Sequence, residues 1–201
     1  MANRNIQENK NLKERPFSDS FLSEYSGEHI AYEVDMLFWL ATVLTGQSQS
    51  MHESSLYGVR LNNVLIESFG IHLRNLILFF YPKEPLPTDV IAEDYCEPGA
   101  WEQKRLPKSD DLMKAKVRAN KELAHLTTSR LDGSPPEKKW EVLALTNEIS
   151  KLLGIFCENA KSDLLSPNLI EVIKKYSLSS GKSGQTTMQH SDRYKRGWEK
   201  L

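Results

Sequence analysis

The chain has 201 residues, with 26 Lys and Arg against 27 Asp and Glu, for a formal charge of −1. That length suits one compact domain with tails. Near-neutrality gives no global pull on nucleic acid or anionic membrane, so any such binding needs a local patch. Two cysteines, Cys96 and Cys157, are too few for a disulfide framework or a zinc site and point to a reducing cytoplasm. The N-terminal residues lack the apolar stretch of a secretory signal. The longest apolar run, Met36 to Leu44, is far short of the about 20 residues a membrane span needs. A cytoplasmic protein with no membrane partner is expected.

Residues 1–18 are polar and without period, and read as a flexible N-terminal arm. From about Ser20 to Leu44, Ile30, Val34, Leu37, Ala41 and Leu44 recur at helical spacing. Thr45 to Ser55 reads as a polar loop. A second helix is predicted from about Leu56 to Tyr81, stopped by Pro82. It is apolar almost all round, which predicts an enclosed central helix. Residues 82–108 form a proline-rich connection in which only Asp89 to Cys96 reads as a short helix, and Trp101 predicts that the segment packs down.

Ser109 reads as the cap of a third long helix, with Asp110 and Asp111 at its positive end. It is predicted to end near Leu131, before Asp132-Gly133. Ser134-Pro-Pro-Glu137 reads as a capping box opening a fourth helix to about Ala160, with Leu145, Ile149, Leu152, Leu153 and Phe156 as its core stripe. Ser166-Pro167 opens a short fifth helix through Tyr176. No strand pattern or repeat is evident. The expected fold is all-α, a bundle of four main helices plus a short fifth in up-down packing. Residues 19–176 would form a single helical domain, and 177–201 a disordered tail.

Two stretches carry the chemistry: Glu67-Ser-Phe-Gly-Ile-His72-Leu-Arg74-Asn75 and Arg118-Ala-Asn-Lys-Glu122-Leu-Ala-His125. Polar side chains inside apolar runs cost free energy unless paired. Seven residues of helix turn through about 700°, so Arg118 and His125 would sit nearly in line, about 10.5 Å apart. With the apolar stripe centred on Leu112, Ala115, Ala119, Leu123 and Leu126, Arg118, Glu122 and His125 share one flank. There a guanidinium can neutralise developing charge on a phosphodiester, and an imidazole can move a proton near neutral pH.

This arrangement resembles the Arg-x(4–6)-His motif of the HEPN superfamily of all-helical nucleotide-binding and ribonuclease domains. The resemblance implies a metal-independent endoribonuclease, of the kind found in toxin or phage-defence systems. Arg118 and His125 would be the catalytic pair, RNA the partner, and a homodimer the working form. The family often has Asn, Asp or His directly after the arginine; here that residue is Ala119, with Asn120 one place later. The wider frame, Glu67-Ser-Phe-x-x-His72-x-Arg74-Asn75, Asp89 to Tyr95 and Arg118 to Thr127, resembles a set of uncharacterised bacterial proteins over about Leu61 to Arg130. That second resemblance implies no activity, but groups Glu67, Arg74, His125 and Arg130. Arg74, Asn120, Glu122, Glu67 and Arg130 are thus the expected supporting or phosphate-binding residues.

The rival expectation is a non-catalytic helical module, binding a protein partner or a small ligand. In it Arg74 pairs with Glu67, Glu122 or Asp94, and Arg118 and His125 are half-buried flank residues tied to Glu67 or Glu122, a structural ion-pair network bridging the second and third helices. Glu122-x-x-His125 has the ligand spacing of di-iron bundles. The chain holds no second such pair; His29 with Glu33 has i, i+4 geometry, and His29, Glu67, His72 and His125 are the residues that could gather round an ion, but neither metal nor cofactor is expected. Gly181-Lys182-Ser183 lacks the earlier glycine and strand of a phosphate loop. The tail segment Arg193 to Trp198 mixes cations and aromatics, a composition suited to RNA but also to a solvated tail. Both thiols are expected to be buried.

Overall fold

A computed structural model describes residues 17–46, 56–131, 139–177 and 188–189. The described residues are mostly helical, around one hydrophobic cluster. The arm before Phe17, the loop over 47–55 and most of the tail lie outside them.

Helix α1 (Asp19–Tyr25) starts where the Ser18 hydroxyl accepts the Phe21 N–H at 3.2 Å. It runs through a π-helical turn, Ser26–Ile30, into α2 (Ala31–Gly46). The π turn is pinned from outside. The buried Ser26 hydroxyl donates to the Ser23 carbonyl and accepts from the Ser166 N–H, each at 2.8 Å. Gly27 makes this approach possible, since a Cβ there would lie 2.6 Å from the Ser166 hydroxyl oxygen. The five predicted stripe residues of this helix are all buried.

Helix α3 (Leu56–Phe80) buries Ile66, Phe69, Leu73, Leu76, Ile77 and Phe80 completely or nearly so. It is not apolar-enclosed along its whole length, however. Leu56, Tyr57, Leu61 and Val64 face outward, so the first turns form a surface. By length and composition α3 could cross a membrane, but 61% of its most apolar window is buried inside the protein, as in a core helix. Its last turn leaves carbonyls without helical donors. The indole N–H of Trp101 and the Arg105 guanidinium both donate to the Phe80 carbonyl, at 2.8 and 3.0 Å. The 82–108 connection does pack down on Trp101, which is 1% exposed. Its 3-10 turn is shorter than the predicted helix, Ala92–Tyr95, and a second short helix, α4 (Ala100–Lys104), was not foreseen. Gly99, at φ 79°, supplies the left-handed residue between them.

Helix α5 (Asp110–Arg118) is capped by Ser109 as expected, its hydroxyl accepting the Leu112 N–H at 3.1 Å. The predicted helix to Leu131 is corrected. After Arg118 the chain makes a π-helical turn, Ala119–Ala124, and His125 is extended at φ −131°, ψ 148°. The freed carbonyls are taken up locally: Arg130 donates to those of Leu123 and His125, and the Thr127 hydroxyl to that of Lys121. A 3-10 turn follows at Thr128–Leu131.

The predicted capping box at 134–137 lies outside the described residues. The fourth helix, α6 (Val142–Asn159), begins later than expected because Lys139–Trp140 forms a strand, β1. It pairs antiparallel with β2, Met188–Gln189, in the register Lys139 to Gln189 and Trp140 to Met188. The expectation of no strand is therefore also corrected; two residues are too few to show a period of two. Residues Leu145, Ile149, Leu152, Leu153 and Phe156 of α6 are all buried, as predicted.

A 3-10 turn, Ser162–Leu164, leads to α7 (Pro167–Ser177). This helix docks on α2 through Tyr176 stacked on Phe38, centroids 5.0 Å apart. Beside that stack, Asp35 accepts from Lys175 Nζ at 2.9 Å and from the Tyr176 hydroxyl at 2.8 Å. Burial raises the Asp35 pKa, but these donors and the Lys175 charge outweigh it and hold the carboxyl below its ordinary value. A carboxylate depressed in the folded state contributes stability above its unfolded pKa, lost as pH falls through the folded one. Asp35→Asn is thus expected to lower the urea midpoint slightly at pH 7. The gap to wild type should close as pH falls below about 4, which midpoints at pH 7 and pH 3 would check.

Candidate functional site

The expected catalytic pair is not displayed as a common groove. The Arg118 side chain, 18% exposed, makes an ion pair with Glu122 at 3.3 Å. It also donates to the Lys139 carbonyl at 2.8 Å and lies over the Trp140 ring, 4.3 Å from its centroid. Trp140 is 2% exposed and meets Phe69 of α3 edge-on. Arg118 therefore joins α5, the π turn and β1. His125 is exposed and stands beyond the helical run, so the in-line geometry with Arg118 is replaced by an extended residue. Arg130 is exposed and caps the π turn through two carbonyls. Glu67 is exposed on α3.

A different set of polar side chains converges. His72 Nδ1 and Glu33 Oε2 are 2.8 Å apart. The Asn75 amide donates to Glu33 Oε1 at 3.2 Å. The Arg74 guanidinium donates to Asn75 Oδ1 at 3.4 Å and, through Nε, to Asn120 Oδ1. This chain links α2, α3 and the second π turn. Tyr32 caps its far end, edge-on to the His72 ring at 5.5 Å. Irregular π turns inside helices are frequent at functional sites. Here one carries Asn120, and the other carries His29, whose ring lies 4.6 Å from that of Tyr25.

Beside this network opens a two-lobed cleft. The larger lobe, 460 Å³, is lined by residues including Tyr25, Asn75, Phe79, Lys83, Val90 and Lys116. The smaller, 190 Å³, shares Tyr25, Asn75, Phe79 and Val90 and adds His29, Ile30, Glu33 and Leu76. The larger lobe falls within the range of small-ligand pockets. Burial, then the Glu33 and Asp89 carboxylates, push the Tyr25 phenol above its ordinary pKa. It therefore enters the cleft as a neutral hydrogen-bonding group.

Sequence reasoning found His72, Arg74, Asn75 and Asn120 but gave the cleft no place. Glu33 stands out in the sequence only as a metal candidate with His29, and nothing there marks Tyr25, Lys83, Lys116 or Trp140. The signal for Glu33 was present: it sits between Ile30 and Leu37 at stripe spacing, where a carboxylate needs a partner. Among the described residues no group of three or more His, Cys, Asp or Glu gathers as a metal site. Cys96 is buried, with its thiol pushed up to about 12 by that burial, and Cys157 is half-buried and also raised. Neither is a ready nucleophile at neutral pH. Compared with known proteins, the chain gives no significant match to a family model, to a curated protein or to a solved structure.

Proposed function

We propose that this chain is a non-catalytic helical module that binds a small polar ligand in the two-lobed cleft, with Arg118 and Glu122 as a structural clamp. The long helices would be arranged as an up-down bundle that presents the cleft at one end. The observation that carries the reading is the hydrogen-bonded chain from His72 through Glu33, Asn75 and Arg74 to Asn120. It fixes Asn75 and Glu33 in the wall of the cleft before any ligand arrives, which lowers the ordering cost of binding.

The test is thermal unfolding of the full chain against a panel of small anions, cations and neutral polar compounds. At least one chemical class is expected to raise Tm in proportion to log concentration, as ligand linkage requires. Asn75→Leu, at the residue shared by both lobes, should lose that shift. A panel in which no class moves Tm would remove this reading.

One observation favours the ribonuclease reading as a second. His125 is exposed, and beside it Leu126 and Leu131 are 90% and 76% exposed. A second copy covering these leucines would form a homodimer with an imidazole from each chain at the seam. There His125 would act as general acid or base on RNA, and Arg118 would have to leave Glu122 to meet the phosphate. A cytoplasmic location within a toxin or defence system belongs to this second reading.

A further inference from the structure

Two cations beside the cleft have no carboxylate paired with them among the described residues. Arg74 is half-buried, and its hydrogen bonds go to the amide oxygens of Asn75 and Asn120, which are neutral. Lys116, on α5, is also half-buried and lines the larger lobe. Neither makes an ion pair with a carboxylate among the described residues. Elsewhere the protein pairs its partly buried charges: Arg118 with Glu122, and Lys139 with Glu141 at 3.1 Å. Partial desolvation of a cation costs free energy that a facing anion offsets.

The charges that bear most on Lys116 are those of other cations. Lys83 lines the same lobe, and Lys108 sits 5.7 Å from the centre of the Tyr81 ring. Burial first, then the charges of Lys108, Arg74 and Lys83, hold the Lys116 amine below its ordinary pKa. The carboxylates of this lobe, Glu84 and Asp89, belong to the loop after α3. Asp89 already accepts the Leu86 N–H at 2.8 Å, and Glu84 is exposed. The lobe is thus lined by Lys116 on α5 and by Lys83 on the loop after α3, the loop that also carries Glu84 and Asp89.

We propose that the larger lobe is an anion site that takes the phosphoryl group of a small phosphorylated compound between Lys83 and Lys116. Arg74 stands behind Asn75 and contributes charge rather than direct contact. A dianion suits these two lysines better than a monocarboxylate, because neither makes an ion pair with a carboxylate among the described residues. At 460 Å³ the lobe has room for a phosphoryl group and the body of a small metabolite. The proposal rests on the cleft being the ligand site and names the ligand's chemistry.

The experiment is calorimetric titration of the full chain with inorganic phosphate and with pyrophosphate, against chloride and acetate at matched ionic strength. Saturable binding of a phosphate probe is expected, at least tenfold weaker in Lys116→Gln and unchanged in Lys151→Gln, an exposed lysine on α6. If Lys116→Gln does not fold, Lys83→Gln, at an exposed position, reads the same loss. Binding no tighter than acetate, or equal in wild type and both lobe variants, would overturn the proposal. If phosphate fails while another class in the Tm panel binds through Asn75, the site stands and its anionic character falls. If nothing in that panel binds, the site itself falls.

Discussion

Phe156→Ala is expected to lower the unfolding free energy by about 3–5 kcal/mol. The ring is fully buried on α6 and is met edge-on by Phe79, Phe80, Tyr95 and Trp101, at centroid distances of 5.3, 6.1, 5.6 and 5.9 Å. Those partners come from the end of α3, the 3-10 turn and α4, so one side chain joins the 82–108 connection to the core. Two partners also carry polar duties: Trp101 donates to the Phe80 carbonyl and Tyr95 to that of Leu22. A cavity here loosens the cap on α3 as well as the packing. The cleft wall at Phe79 and Val90 would soften with it. Guanidinium unfolding, read by tryptophan fluorescence, measures the loss.

Arg118→Ala is expected to cost about 2–3 kcal/mol, less than breaking a fully buried pair because both side chains are about one-fifth exposed. The change removes the Glu122 ion pair, the bond to the Lys139 carbonyl and the contact with the Trp140 face at 4.3 Å. A cation over a partly desolvated indole adds about 1 kcal/mol or more by itself. Glu122→Gln keeps the ring contact and should lose less. In a double-mutant cycle, Arg118 and Glu122 should couple, whereas Arg118 and the exposed His125 should be additive. His125→Ala alone should leave stability nearly unchanged.

Much of the helical frame was legible because it rests on local rules. The Ile30 to Leu44 stripe, the stop at Pro82, the Ser109 cap and the Leu145 to Phe156 stripe each follow from periodicity or capping within one segment. Trp101 likewise betrayed a packed connection. The stretch from Arg118 to His125 failed for a definite reason. A π turn bonds i to i+5 and widens the helix, so counting at 3.6 residues per turn misplaces everything after Ala119. His125 then leaves the helix altogether. Trp140, whose face holds Arg118, sits in a strand too short for any pattern to reveal. The cleft was out of reach for another reason. Its walls come from α1, the π turn after it, α2, α3, the loop after α3 and α5, and only tertiary packing brings Glu33 to His72 or Lys116 toward Arg74. What the sequence did offer was the anomaly of polar residues in apolar runs, and of those His72, Arg74, Asn75 and Asn120 do join one chain, through Glu33.

The most direct test of the account is to incubate the purified full chain with a structured RNA in EDTA, beside the His125→Ala variant, whose exposed side chain leaves the fold intact. If Arg118 is a clamp and the cleft is the site, the RNA stays whole with both proteins. Cleavage by the wild type that leaves cyclic-phosphate ends, and is lost in His125→Ala, would contradict the account and establish the ribonuclease.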